Sequence, residues 1–484
     1  MAFSSRLAVA AVLAAAFACA PPAPVEQVPE PAPPPAAAPE PATNAPASFT
    51  IPVEYHKLDN GLKVVLSTDT TAPTAVVGVY YNIGFRIEPR DRTGFAHLFE
   101  HMMFQGSQNL GKMEFIQLVQ SNGGILNGST RFDFTNYFEV VPAHTLETML
   151  WAEADRMRGL DITQANLTNQ QGVVKNEVRV NVLNQPYGGF PWLDMPQYAN
   201  TNWYNSHNFY GELEDLDAAT LEDVASFFKT YYAPNNAALV ITGDFEPAQA
   251  MAWVRQYFSD IPAAPQPPQP DISEPRQTEE KRASKPDPKA TRPALAIAYH
   301  APARGTPEYF ALAMIDQLLV QGKDSRLYQE LVQERGLTGG VNGGVNLLGN
   351  MYNINGPTLW TAFLFHDAAT SADSIIAVID SVIEPLRTTM VDQATLDKLR
   401  VQMRSAFLGE VEQLFGFGRT DMLASFALFD DDPSRINRLE AEFNDVTPEL
   451  ILRTAREYLR PTNRTILTIV PAPAPAPAAP ASGS

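Results

Sequence analysis

Apolar positions along the chain fall into two blocks, each mixing the two-residue period of strands with the 3.6-residue period of helices. In the first block, "GLKVVLSTD" and "AVVGVYYNIG" are rich in β-branched and aromatic residues and bounded by Gly, Asp and Pro, which predicts strands. A helix follows at "GFAHLFEHMMFQGS". "STRFDFTNYFEVVP" alternates along its length and predicts one strand, and "TLETMLWAEADRMRGL" has helical spacing. "LEDVASFFKTYYAPNNAALVITGDF" predicts helix, turn and strand. The second block repeats this order more loosely. "ALAIAYHAP" reads as a strand, "YFALAMIDQLLVQ" and "SRLYQELVQERG" as helices, and "TNRTILTIV" as a closing strand. The predicted class is α+β: two homologous α+β domains, each an antiparallel-rich sheet with helices packed on it.

Three segments break the pattern. Residues 20–48 are almost all Pro, Ala and Glu, a composition that forms no core and behaves as a semi-extended tether. Residues 263–292 are Pro-rich and charged and are expected to link the blocks, and residues 472–484 form a Pro/Ala-rich tail. The domains are therefore expected at 49–262 and 293–471.

Residues 1–19 have one basic residue, Arg6, and then an apolar run, the shape of a secretory signal. That run is too short to span a bilayer. It closes on Cys19, the one cysteine of the chain. The segment resembles a bacterial lipoprotein signal, in which Cys19 would carry the lipid. The alternative is ordinary cleavage after Ala18. Either reading exports the protein. The lipoprotein reading places it in the periplasm, held to the outer membrane of a Gram-negative cell by lipid alone. The formal net charge of −19 argues against nucleic acid, whose phosphates call for clustered Lys and Arg.

The chemistry concentrates in "HLFEH". His97, Glu100 and His101 fall at i, i+3 and i+4 and share one helix face. Two imidazoles one turn apart suit one metal ion, and H-x-x-E-H is the inverse of the commoner H-E-x-x-H order. Glu100 is placed to take a proton from metal-bound water as general base. A third ligand must come from elsewhere, and the candidate is Glu177. It lies beside a stripe of Leu167, Val174, Val178 and Asn181, read as facing inward. A carboxylate there needs a partner. A surface pairing with Arg179 or Lys175 is the alternative.

Together these residues resemble the pitrilysin/insulinase family of zinc metallopeptidases, the inverted zincins, and in particular its smaller branch that includes the mitochondrial processing peptidases. The likeness runs over about residues 50–470. "GFAHLFEHMMFQGS" is similar to the family's active-site helix and "GGILNGSTRFDFTNYFEVVP" to its substrate-pairing edge strand. "YGELEDLDAATLEDVASFFKTYYAPNNAALVITGDF" is similar to the end of its first domain, and "SRLYQELVQERGL" to its second. The resemblance implies one zinc per chain on His97, His101 and Glu177, with Glu100 as the base. It implies an extended peptide substrate paired with the strand around Asn127, and two domains forming half of a clamshell.

Two departures follow. Where the family often carries a further Glu before the distal ligand, this chain has Gln170, which can hydrogen-bond from behind the metal shell but adds no charge. Where active single chains carry an Arg and a Tyr that hold substrate and steady the oxyanion, this chain has Val332 and Gly339. An intact metal motif beside a missing clamp points to the catalytic half of a heterodimer whose homologous partner supplies the Arg/Tyr pair. A homodimer is the other arrangement considered. The expected function is an exported zinc metalloendopeptidase acting on peptides or unfolded segments. The alternatives are a non-catalytic structural or peptide-binding subunit, and an assembly factor that holds peptides without cutting them. His207 is read as structural; His56, His144, His300 and His366 have no ligand spacing.

Overall fold

The computed structural model describes residues 49–471; the signal segment with Cys19, the 20–48 tether and the 472–484 tail lie outside the described residues. Two mixed sheets organise the chain. The first contains β1 (Glu54–Lys57), β2 (Lys63–Thr68), β3 (Thr74–Tyr81), β4 (Ile125–Thr130), β5 (Thr135–Pro142) and β6 (Ala237–Gly243), in the order β1-β2-β6-β3-β5-β4. The second contains β7 (Lys281–Asp287), β8 (Ala294–His300), β9 (Asn342–Val345), β10 (Leu359–Phe365) and β11 (Arg464–Pro471), in the order β7-β11-β8-β10-β9. Without β1, the two orders match strand for strand. In each sheet the first and last strands of the half pair in parallel, β2 with β6 and β7 with β11, and the other neighbours are antiparallel. Both halves thus repeat one topology.

Three details differ from the pattern-based expectation. The stretch 129–142 is not one strand but part of a hairpin. β4 and β5 meet at a tight turn in which the Arg131 N–H donates to the Phe134 carbonyl at 2.8 Å. The Pro-rich segment 263–292, read as a linker, ends in β7, an edge strand paired along its length with β11. Asn181 is exposed, not inward. The helix Gln164–Val178 passes into a wider π turn at Arg179–Leu183, which rotates the following residues off the stripe.

The central strands are apolar on both faces, as strands covered on both sides must be. On β3, Val77, Val79 and Tyr81 face the first-half helices. Tyr80 faces the other way, into a core shared with the second half. There the helix Phe417–Asp430 lies across β2, β3 and β6. The Tyr80 hydroxyl donates to buried Asp421 at 3.0 Å, and Thr242 Oγ1 meets Thr420 Oγ1 at 2.7 Å. A Cβ at position 78 would come within 2.8 Å of Thr420 Cγ2, so Gly78 admits this helix. The reverse also holds. The first-half helix Asp194–Ala199 packs on β7, β8 and β11, with Met195 and Ala199 against Ala294, Ala296, Ala298, Leu467 and Ile469. Each sheet is completed by a helix from the other half, and the described residues from Thr50 onward form one compact unit.

Candidate metal centre

The site is built on α1 (Phe95–Met102), which enters the first-half core directly after β3 and its loop. Phe95, Leu98, Phe99 and Met102 fix its inner face. Its N-terminus is held in two ways. The buried Glu88 carboxylate accepts the backbone N–H groups of Gly94 at 2.9 Å and Ala96 at 2.6 Å, satisfying donors that a helix start leaves unpaired. Gly94 adopts φ +82°, and a neighbouring loop closes over it: a Cβ at Gly211 (φ +81°) would sit 2.4 Å from Gly94 Cα. The middle of α1 is braced by β5, whose Tyr137 hydroxyl donates to the Phe99 carbonyl at 3.2 Å.

The structure brings His97, His101 and Glu177 together. Their ligand atoms all lie within 4.8 Å of one another. His97 Nε2 and His101 Nε2 are 3.3 Å apart; Glu177 Oε1 is 3.6 Å from the first and Oε2 3.2 Å from the second. Zinc binds such nitrogen and oxygen donors at about 2.1 Å, and a tetrahedron of that radius has an edge of about 3.4 Å. Both the spacing and the donor set therefore fit a zinc ion. His97 is 4% exposed, and the Glu177 side chain is 32% exposed, so the group opens to one side only. Hydrogen bonds from His101 and then His97 hold the Glu177 carboxyl well below the usual carboxylate range. It is a fixed anion at any working pH. Of the alternative partners of Glu177, Lys175 is engaged elsewhere, with Asp217.

Glu100 stands next to this group without joining it. Its Oε2 accepts the Thr130 hydroxyl at 2.7 Å, which ties it to β4. β4 is an edge strand of the first sheet, and Asn127 is exposed on it, with its Oδ1 accepting the Gly128 N–H. A carboxylate beside a metal group, next to an open strand edge, places a base where an extended chain can lie.

Gln170 is buried on the helix that carries Glu177, but among the described residues no hydrogen bond joins it to the two histidines or to Glu177. His97 Nδ1 is buried without a partner. In the second half, Val332 packs partly buried against the core, and a Cβ at Gly339 would meet nothing within 4 Å. Neither position offers a side-chain donor.

The sequence offers Trp192, in "YGGFPWLDM", as a residue that could line the chamber or simply pack, but the reading missed the rest of the aromatic wall of the site. The Tyr210 ring lies edge-on to His97 at 5.2 Å and against Trp192 at 5.4 Å, with Phe85 at 6.2 Å. Burial, followed by the charges of Glu177 and Glu100, pushes the Tyr210 hydroxyl up to about 12. In sequence Tyr210 belongs to "NFYG", which reads only as a turn. His207 stacks on Trp203 at 4.2 Å, with its ring nitrogens 3.0 Å from the Trp203 and Phe85 carbonyls. Burial pushes it down to about 4, which keeps it neutral. Among the described residues, His97, His101 and Glu177 form the one group suited to a metal ion, and the other histidines stand outside it.

Comparison with known proteins gives a consistent picture. The family model described as insulinase (peptidase family M16) matches residues 63–203, and that described as the peptidase M16 inactive domain matches residues 218–403. The zinc protease PqqE of Helicobacter pylori is 26% identical over 422 residues, covering 86% of this chain and 92% of the relative. The human mitochondrial-processing peptidase subunit beta is 24% identical over 216 residues, covering 43% of this chain and 44% of the relative. Among solved structures, a protease from Helicobacter pylori superposes with a TM-score of 0.79 at 25% identity, covering 87% of this chain and all of that one. The periplasmic protease PqqL from Escherichia coli superposes at 0.70 and 18% identity, with 88% of this chain matching 48% of that one.

Proposed function

This chain belongs to the pitrilysin/insulinase (M16) family of peptidases, in its smaller, mitochondrial-processing-peptidase-like branch, and we propose that it is a zinc-dependent metalloendopeptidase acting on peptides or unfolded segments. The observation that carries the reading is the tetrahedral-edge spacing of His97, His101 and Glu177 beside a carboxylate outside that group, Glu100. His97, His101 and Glu177 hold the metal. When bound, zinc supplies Lewis acidity, polarising a carbonyl and acidifying water. Glu100 takes the proton of the attacking water and returns it to the leaving amine. β4 aligns the substrate as an added strand, with Asn127 at its exposed edge. Gln170, buried on the helix that carries Glu177, adds no charge behind the metal.

The clamp missing at Val332 and Gly339 supports a pair of chains, in which a homologous partner contributes the polar residues that this second half lacks. The relatives named as a beta subunit are consistent with such an assembly. The signal-like residues 1–19 and the 20–48 tether support export and a periplasmic, lipid-held location through Cys19.

The test is zinc content by elemental analysis together with cleavage of an unstructured fluorogenic peptide library, for the chain alone and with any co-purifying partner. About one zinc per chain, with cleavage that rises when the partner is added, is the expected result. Absence of both zinc and cleavage in either sample would sink the proposal and leave a peptide-holding subunit as the better account.

A further inference from the structure

Peptide hydrolysis places negative charge on the oxygen of the scissile carbonyl, and a preorganised donor facing that oxygen is typically worth about 10²–10³ in rate. The donors that the described residues place around the metal group are few. The Thr130 hydroxyl is spent on Glu100. Asn127 is exposed on the strand edge, and Val332 and Gly339 have no side-chain donor to offer. Resting on the zinc-peptidase reading above, we propose that the Tyr210 hydroxyl is the hydrogen-bond donor to that oxygen, so that this chain carries its own oxyanion contact in the first half.

Three observations place it there. The ring is wedged between His97 and Trp192, at 5.2 and 5.4 Å, so its direction is set by packing. The ring borders the metal ligand His97 directly, and no hydrogen bond occupies its hydroxyl among the described residues. The loop beneath is tied to the metal helix. The Tyr210 N–H donates to Asn208 Oδ1 at 3.2 Å, Asn208 Nδ2 donates to the Gly211 carbonyl at 3.1 Å, and Gly211 is pressed against Gly94. The Glu212 N–H then donates to the Thr93 hydroxyl at 2.9 Å, one residue before that glycine. Any movement of α1 carries Tyr210 with it, which is what a preorganised donor needs. A partner chain then has substrate clamping left to supply.

The test is Tyr210→Phe in the full chain, with its partner present if activity calls for one. The ring and its packing survive this change; only the hydroxyl is lost. The expected result is a kcat about 10²-fold lower with KM and zinc content unchanged. A phosphinic peptide, whose tetrahedral oxygens imitate the oxyanion, should bind about 10²-fold more weakly. A readout free of turnover is the ¹³Cζ signal of labelled tyrosine: one resonance, absent in Tyr210→Phe, shifts when zinc is added to the metal-free chain. Unchanged kcat and phosphinic affinity would overturn the inference. So would loss of zinc from the variant, which would assign Tyr210 to packing, or a Tyr210 resonance indifferent to zinc. Wild-type chain that neither binds zinc nor cleaves peptide sinks the parent reading and this one with it. Active wild type matched by an equally active variant sinks this one alone.

Discussion

The two halves share one strand order, yet they use the segment after their third-ranked strand in opposite ways. After β3 the first half sends α1 into the core with His97 and His101 facing a distant carboxylate. After β8 the second half sends the helix Pro307–Leu319, whose buried face is Tyr309, Phe310, Leu312, Met314 and Ile315. Its half-buried carboxyl, Asp316, has no imidazole among its hydrogen-bond partners. It accepts Trp360 Nε1 at 2.7 Å and Gln321 Nε2 at 3.0 Å, and burial pushes it up to about 6. The same scaffold position holds a convergent donor set in one half and a satisfied structural carboxyl in the other. Topology fixed where a helix enters; a few side chains decided what the position can do.

That contrast is broken most directly by swapping out each half's carboxyl. Glu100→Gln keeps the shape of the side chain and its contact with Thr130 but removes the base. Peptide hydrolysis should fall by about 10²–10⁴, with zinc content unchanged by elemental analysis. Asp316→Asn should leave hydrolysis within about twofold. Glu177→Gln should fall between them in kind, weakening zinc itself, as read by metal competition with a chelating dye. A Glu100→Gln chain of undiminished activity would remove the reason for distinguishing the halves at all.

How much of this was legible in the sequence depends on how local the cause is. β2, β3, α1 and β6 were readable because period and boundary residues sit in the same ten or so positions. His97, Glu100 and His101 were readable because a helix brings them together on its own. The β4–β5 turn was not, since residues 131–134 are Arg, Phe, Asp and Phe and carry no Gly or Pro to mark it. β7 was hidden by "KRASKPD", a charged, Pro-containing strand of the kind that guards a sheet edge. Asn181 was misplaced because it lies within a π turn that breaks the 3.6 period. The reciprocal cover, Phe417–Asp430 over the first sheet and Asp194–Ala199 over the second, depends on contacts hundreds of residues apart, and no local pattern announces it. Tyr210 was invisible for the same reason: its importance lies in what it packs against.

A second pair of changes sharpens the comparison through pH. His207, in the first half, is held neutral, with its ionisation pushed from an ordinary 6.5 down to about 4. A folded-state value below the unfolded one means the unfolded chain binds more protons. Its contribution is therefore intact above about 6.5 and lost as pH falls towards 4. Asp316, in the second half, has its value raised from 3.8 to about 6, so its contribution is intact below about 3.8 and lost as pH rises through 6. Each shift corresponds to about 3 kcal/mol across its window. Urea unfolding from pH 4 to 8 should show Asp316→Asn gaining on wild type towards pH 8, by up to about 3 kcal/mol. His207→Gln should instead gain on wild type towards pH 4. The same sign in both variants would show that one of these groups does not titrate as its surroundings dictate.

The smallest test compares the two sheet edges, where β4 carries Gly128 and β9 carries Gly343. A Cβ at Gly343 would stand 2.1 Å from the Thr361 carbonyl oxygen on β10. Backbone must move to admit it, so Gly343→Ala should cost about 2–3 kcal/mol in urea unfolding and loosen β9 from its neighbour. At Gly128 the nearest atoms are side chains: Glu100 Cγ and Tyr137 Cδ1 at 3.3 Å, and Phe104 Cε2 at 3.4 Å. These can yield by a few tenths of an ångström, so Gly128→Ala should cost about 1 kcal/mol or less. What yields matters, because Glu100 is one of the three. A base displaced by that distance loses alignment with the attacking water, and hydrolysis should fall a few-fold while zinc content and global stability barely change. In the second half the edge glycine guards a hydrogen-bond ladder; in the first it leaves Glu100 its place. A Gly128→Ala variant with lowered stability but full activity would mean that Glu100 keeps its place without help from the strand edge.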